Sequence, residues 1–423
     1  MVFLENRLKR NVFLKAIEAV VTISASFIQL AVITHRYAPV VVGDYQLVLA
    51  WLFFVSALSC FGGIVMVSTR ELSQGRDPER SAIYSSAFFL QVLVAAPLCV
   101  LATVAFSFFL PQISIPLTVG TIALLGALIL QLSQALLVSK ELISKVVVAS
   151  IIGQVVATAL LCFAAYSECA VSILVGAWAA YNVIQGIVLF FQSRAWQVFS
   201  LQLVRVGLLK KLAIEILPVL VMVLATHLYV RIDVIMLGYF TNKVVVAQYS
   251  AGYLFLDQLM ILSNFMMSAL FPNFARSSIE GGREFQILYR GILRLFSKYL
   301  VPIALLIALF SKPLLGIIYG ADYAMAWLSL SILMLAAIFA WINGPSGTIF
   351  ISLKKQHIYM WATLLSLLVN VVGNLILIPI IGAVGAAIST VLTEFAICSF
   401  CLYWIYRETG YLPWMRPKAD CSI

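Results

Sequence analysis

The sequence predicts an all-α polytopic membrane protein, with 12 transmembrane helices forming two six-helix lobes around a central cavity. Three observations carry that prediction. The chain is 63% hydrophobic and only 10% charged, whereas a soluble surface needs roughly a quarter of its residues charged. Its apolar residues fall into twelve segments, each long enough to cross a hydrocarbon core of ~30 Å at ~1.5 Å per residue. Its two halves carry matching short motifs in the same order.

The segments lie at 12–34, 41–67, 82–110, 115–138, 145–166 and 170–193, then at 212–240, 245–275, 292–319, 325–352, 357–379 and 383–406. Arg7, Lys9 and Arg10 precede the first. That run is longer than a signal-peptide core and lacks a small-residue cleavage site, so it reads as an uncleaved span. Pro97, Pro218, Pro302 and Pro313 fall within or near spans, where neighbouring helices can satisfy freed carbonyls.

Charge placement tests the drawing. With the N-terminus in the cytoplasm, 23 of the 27 Lys and Arg fall on the inner side, including Arg70, Arg80, Lys211, Arg290, Arg294, Lys298 and Lys355. Arg36, Lys243 and Lys312 fall outside, and Arg231 falls in the bilayer. Omitting one span would reverse every later loop, so the alternation supports an even count. The +10 net charge is then orientation, and nucleic acid is not expected as a partner.

The halves match at VVVGDY (40–45) against VVVAQY (244–249), and at VGAW (175–178) against VGAA (384–387). An even number of spans per half gives parallel repeats with a site between them. The division is an N-terminal lobe at 1–193, an amphipathic linker at 194–211 and a C-terminal lobe at 212–423. The linker and the basic stretch 277–298 suit either anchoring of helix ends or contact with anionic lipid head groups.

No P-loop, catalytic triad or metal-ligand cluster is evident, so neither an enzyme nor a cofactor is expected. Cys398 and Cys401 form a C-x-x-C inside an apolar helix and read as packing residues. The charged residues of the seventh segment stand out: Glu215, His227, Arg231 and Asp233. Ionised groups at bilayer depth cost about 2.5–3.5 kcal/mol each on insertion scales and usually face a cavity or a partner. His227 and Arg231 share a helix face. Asp233 lies roughly 200° around from Arg231 and shares its face with Tyr229. Asp257, in line with Tyr253 and Asn264, is one candidate partner, and Glu18 and Glu394 are others. The alternative is a buried network that only holds helices together. His35 and Arg36, at the end of the first span, either snorkel to the outer interface or offer cationic lining to an anionic ligand.

The run Pro218…Arg231-Ile232-Asp233…Leu237-Gly238…Val246-Ala247-Gln248-Tyr249-Ser250-Ala251 resembles the seventh-span signature of the polysaccharide-exporter family. Arg36…Val42-Gly43-Asp44-Tyr45, Leu270-Phe271-Pro272, Tyr319-Gly320…Tyr323 and Pro379…Gly382…Gly385…Thr390 resemble further pieces of it, in order. That family contains O-antigen and other lipid-linked oligosaccharide flippases, within the multidrug/oligosaccharidyl-lipid/polysaccharide exporter superfamily. The resemblance implies a monomeric flippase of the bacterial inner membrane, both termini cytoplasmic, working by alternating access on an undecaprenyl-diphosphate-linked oligosaccharide. The residue reading fits this, with Arg231, Arg36, His35, His227 and Tyr229 as the substrate-contacting cavity lining and Asp233 or Asp257 as the place for a coupling H+ or Na+. Membrane lipids, a polysaccharide polymerase and a chain-length regulator are the implied partners. A cation-coupled multidrug or metabolite antiporter of the same fold is the alternative. A membrane glycan polymerase is disfavoured by the short outer loops.

Overall fold

The computed structural model describes residues 2–58, 61–74, 77–280, 283–353 and 355–415. Arg76, Lys354, Arg416 and Lys418, all expected on the inner side, lie outside them. Among the described residues the fold is helical without strands, as lipid requires of backbone that must satisfy its own hydrogen bonds.

The first eight helices are α1 (Val2–Arg36), α2 (Pro39–Leu58), α3 (Phe61–Gln74), α4 (Asp77–Leu90), α5 (Ala96–Phe109), α6 (Ser114–Ser139), α7 (Ile143–Tyr166) and α8 (Val171–Ser193). The expected linker holds a one-turn helix, α9 (Ala195–Val198), and a 3-10 turn at Leu201–Leu203. Then come α10 (Val206–Phe240), α11 (Lys243–Glu280), α12 (Arg283–Leu309), α13 (Ser311–Tyr319), α14 (Trp327–Ser352) and α15 (Gln356–Thr409).

Ten stretches are long and apolar enough to cross a membrane among the described residues. The last, at 357–409, breaks at Ile381 and Gly382, where φ reaches −132° and +57°, and so supplies two crossings. With the 35-residue α10, every apolar segment of the sequence has a helical counterpart.

Prolines explain several departures from straight spans. Pro97 has no N–H for the carbonyl of Leu93, and a π turn covers Gln91–Ala95 where that bond is lost. Pro313 likewise cannot donate to Leu309, the last residue of α12. The segment expected at 292–319 is therefore two helices, with Pro313 in the first turn of α13, where its missing N–H is harmless.

The chain forms two compact units, Met1–Arg231 and Ile232–Ile423. The boundary falls inside α10, one helix past the linker at 194–211. In the first unit, Ile64, Val67 and Leu72 of α3 pack with Tyr84 of α4, Leu132 and Leu136 of α6, and Leu212 and Ile216 of α10. Single polar bonds tie helices at depth: Gln29 to Thr158 at 2.8 Å and Thr103 with Thr121 at 2.8 Å. In the second unit, Trp341, Tyr289, Tyr319 and Tyr323 are all buried. Asn374 donates to Asn370 at 2.9 Å, on the shared face their spacing predicts.

Glycine matters most at the bend of α15. Gly382 holds a positive φ there, and a Cβ on Gly385 would collide with the backbone carbonyl of Leu377 on the preceding half. Gly385→Ala should therefore lower the melting temperature and the folded yield in detergent. Gly126→Ala in α6, where a Cβ meets nothing within 4 Å, should leave both unchanged. Fluorescence-detected size exclusion across a temperature series compares them directly.

Candidate functional site

The site is built on α10. In the first unit, the Arg231 guanidinium lies over the ring of Phe53 on α2, 4.8 Å from its centroid. One turn earlier, the His227 ring stands 5.9 Å from the same Phe53. His227 Nδ1 pairs with the Val223 carbonyl at 2.9 Å. Trp178 of α8 is 6.5 Å from Phe53 on a tilted plane. His227, Tyr229 and Arg231 are each partly exposed. Two ionisable side chains one turn apart thus share an aromatic wall, as their spacing predicts. A cation on an aromatic face is stabilised by about 0.5–2 kcal/mol, more as water is excluded.

Asp233 turns the other way and finds its partner in the second unit. It is 1% exposed. One carboxylate oxygen accepts from the Tyr249 hydroxyl at 2.5 Å, the other from the Val234 N–H at 2.7 Å. Tyr249 on α11 is fully buried and stacks near Tyr253, centroids 5.6 Å apart. Asp257 is half-buried, one turn beyond the buried Tyr253.

His35 and Arg36 sit elsewhere in the first unit, at the exposed end of α1. Arg36 lies 4.2 Å over the ring of Tyr166, the last residue of α7, and His35 Nδ1 meets the Ala31 carbonyl at 2.8 Å. Arg36 and Arg231 thus rest on different rings.

Glu215 belongs to an ion-pair network. Its carboxylate accepts from Arg70 of α3 at 2.5 Å. Arg70 also reaches Glu71 at 3.2 Å, and Glu71 in turn accepts from Lys211. Four residues of alternating sign thus join α3 to the start of α10. No sequence pattern reports this, since α3 and α10 partners lie 140 and 145 residues apart. Phe53 and Trp178 escaped notice for a related reason, because aromatic residues are ordinary in spans until a cation is seen on them.

Among the described residues, no group of His, Cys, Asp or Glu is placed to hold a metal ion. Cys398 and Cys401 are buried in α15.

The architecture is shared with known transporters. Superposition on the structure titled "Lipid II flippase MurJ, inward closed conformation" gives a TM-score of 0.76 at 12% identity, over 93% of this chain and 87% of that one. A transporter of the MOP superfamily from Pyrococcus furiosus gives 0.66 at 10% identity, over 95% and 96%. An outward-facing multidrug resistance MATE family transporter gives 0.65 at 10%, over 95% and 96%. At such identities the likeness establishes the fold alone: a multi-pass membrane protein with the helical architecture of MOP superfamily transporters.

The family follows from sequence. Residues 8–278 match the model of the polysaccharide biosynthesis protein family, and the chain belongs to that family. It is 26% identical over 168 residues to the probable low-salt glycan biosynthesis flippase Agl15 of Haloferax volcanii, covering 40% of this chain and 36% of that protein. It is 29% identical over 182 residues to an uncharacterized membrane protein of Methanocaldococcus jannaschii, covering 42% and 35%. The matched region spans about a third of the length of these curated relatives.

The ion network has a defined pH response. The Lys211 hydrogen bond holds the Glu71 carboxyl below the usual carboxylate range, and the same bond raises Lys211. A depressed carboxylate contributes stability above its unfolded pKa and loses it as pH falls through the lower folded value. Glu71→Gln should lower the melting temperature slightly at pH 7, by less than about 1 kcal/mol equivalent for a pair whose lysine is half exposed. The gap from the unsubstituted protein should close below about pH 4 and shrink in high salt. Thermal melts in detergent across pH read this.

Proposed function

We propose that the chain is a flippase that moves the polar head of a lipid-linked oligosaccharide across the membrane. The specific substrate is an undecaprenyl-diphosphate-linked O-antigen or other polysaccharide repeat unit, and the membrane is the bacterial inner membrane with both termini cytoplasmic. The observation that carries the reading is the Arg231–Phe53–His227 cluster with Trp178 nearby. It joins a fixed cation to aromatic faces within a polysaccharide biosynthesis family chain.

Each part has a use in that task. A guanidinium binds phosphate through its in-plane N–H groups, while its face stacks on a ring. Phe53 therefore orients Arg231 for a diphosphate without competing for the same surface. Trp178 and Phe53 offer flat apolar faces on which sugar rings can slide. His227 and Tyr229 add donors and acceptors along the same helix. Arg36 and His35 form a second cationic position, on Tyr166, for the head group as it leaves. Rocking of the lobes exposes the site to each side in turn. No covalent bond is made or broken, and the lipid tail stays in the bilayer throughout. A proton or sodium ion couples the cycle at Asp233 or Asp257, of which Asp257 is the more exposed. Polymerase and chain-length regulator act on the product outside. The glycan flippase named in Haloferax volcanii supports this substrate class.

A second reading, a cation-coupled multidrug antiporter, draws on the fold shared with MATE family transporters. It predicts dye resistance on overexpression without any glycan defect.

Arg231→Gln should abolish surface polysaccharide and build up lipid-linked repeat unit on the cytoplasmic side, with membrane abundance unchanged. Phe53→Leu should reduce export about 2- to 30-fold, the loss of one cation–π contact of about 0.5–2 kcal/mol. Normal export by Arg231→Gln contradicts the reading. For Asp233, coupling predicts that Asp233→Asn stays folded but inactive, whereas a purely structural tie predicts equal loss of protein for Asp233→Asn and Tyr249→Phe. Immunoblots of membranes beside the glycan assay separate these outcomes.

A further inference from the structure

The first turns of α12 are amphipathic. Phe285, Tyr289, Ile292, Phe296 and Leu300 recur at spacings of three and four and are buried in the second unit. Arg290, Arg294 and Lys298 recur every fourth residue, a cationic line ~12 Å long. Beside it lies a groove of about 800 Å³, walled by these three cations together with Ile338 and Trp341 of α14 and Trp414 of the C-terminal tail.

Three features distinguish this groove from a solvated charged face. Arg290 is occupied with the tail: it donates to the carbonyls of Pro413, at 2.9 Å, and Met415, which fixes one wall. Arg294 and Lys298 are exposed, and among the described residues neither pairs with a carboxylate. Trp341 is only 1% exposed, yet its Nε1–H has no acceptor among the described residues. A buried indole N–H ordinarily has one. Two cations with no carboxylate partner among the described residues therefore line, with the Trp341 side chain, one groove whose other walls, Ser297 and Arg290 apart, are apolar.

We propose that this groove binds the phosphate head group of an anionic membrane phospholipid. Arg294 and Lys298 meet the phosphate, and the Trp341 Nε1–H donates to a head-group oxygen. The upper acyl carbons run along Ile338 and Ile342. The apolar wall and the position on a membrane-crossing helix select a lipid over free phosphate. Basic pockets between helices at the cytoplasmic face are where anionic lipid head groups bind. The site lies wholly in the second unit, shares no residue with the Arg231 cluster, and stands independently of the transport reading.

The test is native mass spectrometry of the delipidated full chain, titrated with dioleoyl phosphatidylglycerol or dioleoyl phosphatidylcholine. Phosphatidylglycerol should be retained about tenfold better than phosphatidylcholine, a difference of about 1.4 kcal/mol. Arg294→Gln with Lys298→Gln should erase that preference, and Arg294→Lys with Lys298→Arg, which keeps the charge, should preserve it. Trp341→Phe, which removes the donor and keeps a ring, should weaken retention about 3-fold. Inorganic phosphate at millimolar concentration should not displace the lipid. Equal retention of both lipids, an undiminished preference in the double Gln variant, or displacement by inorganic phosphate would each overturn the proposal.

Discussion

An ionised group in an apolar helical run must be given a partner, and α10 carries two of them two residues apart, Arg231 and Asp233. Arg231 and Asp233 turn about 200° from one another, so they do not neutralise each other across the helix face. Arg231 takes the ring of Phe53, and Asp233 takes the hydroxyl of Tyr249. These solutions differ in kind. An aromatic face stabilises a cation without discharging it. A short hydrogen bond from a buried tyrosine seals a carboxylate inside protein. One side of α10 therefore keeps a partly exposed positive charge, and the other is closed.

The rest of the helix fits that division of labour. Its first turns are held by the Arg70–Glu71–Lys211–Glu215 network and by the apolar packing of Leu212 and Ile216. Residues up to Arg231 belong to the first unit and those from Ile232 to the second. Partly exposed ion pairs of this type contribute little stability each.

Much of the fold was legible because lipid leaves few choices. Twelve apolar segments had to be helices. The unforeseen features were local. The π turn before Pro97 and the break before Pro313 follow from one missing N–H each, but only once the helix register is known. The candidate site was half legible. His227, Arg231 and Asp233 are conspicuous in an apolar run, whereas Phe53, Trp178 and Tyr249 gain meaning only from tertiary contact. The pairing of Glu215 was not legible, because its partner Arg70 is 145 residues away. The Arg290–Arg294–Lys298 line was visible as a basic loop. Its difference from ordinary helix anchoring lies in the unpaired Trp341 indole, which no periodicity reports.

The central claim is that the Arg231 face of α10 is wetted and the Asp233 face is dry. Single cysteines at His227 and at the buried Leu237, in a chain with its seven native cysteines replaced, can be exposed to a membrane-impermeant maleimide in intact vesicles. The account predicts rapid labelling for His227→Cys and none for Leu237→Cys. Protection of His227→Cys from both sides of the membrane would contradict it.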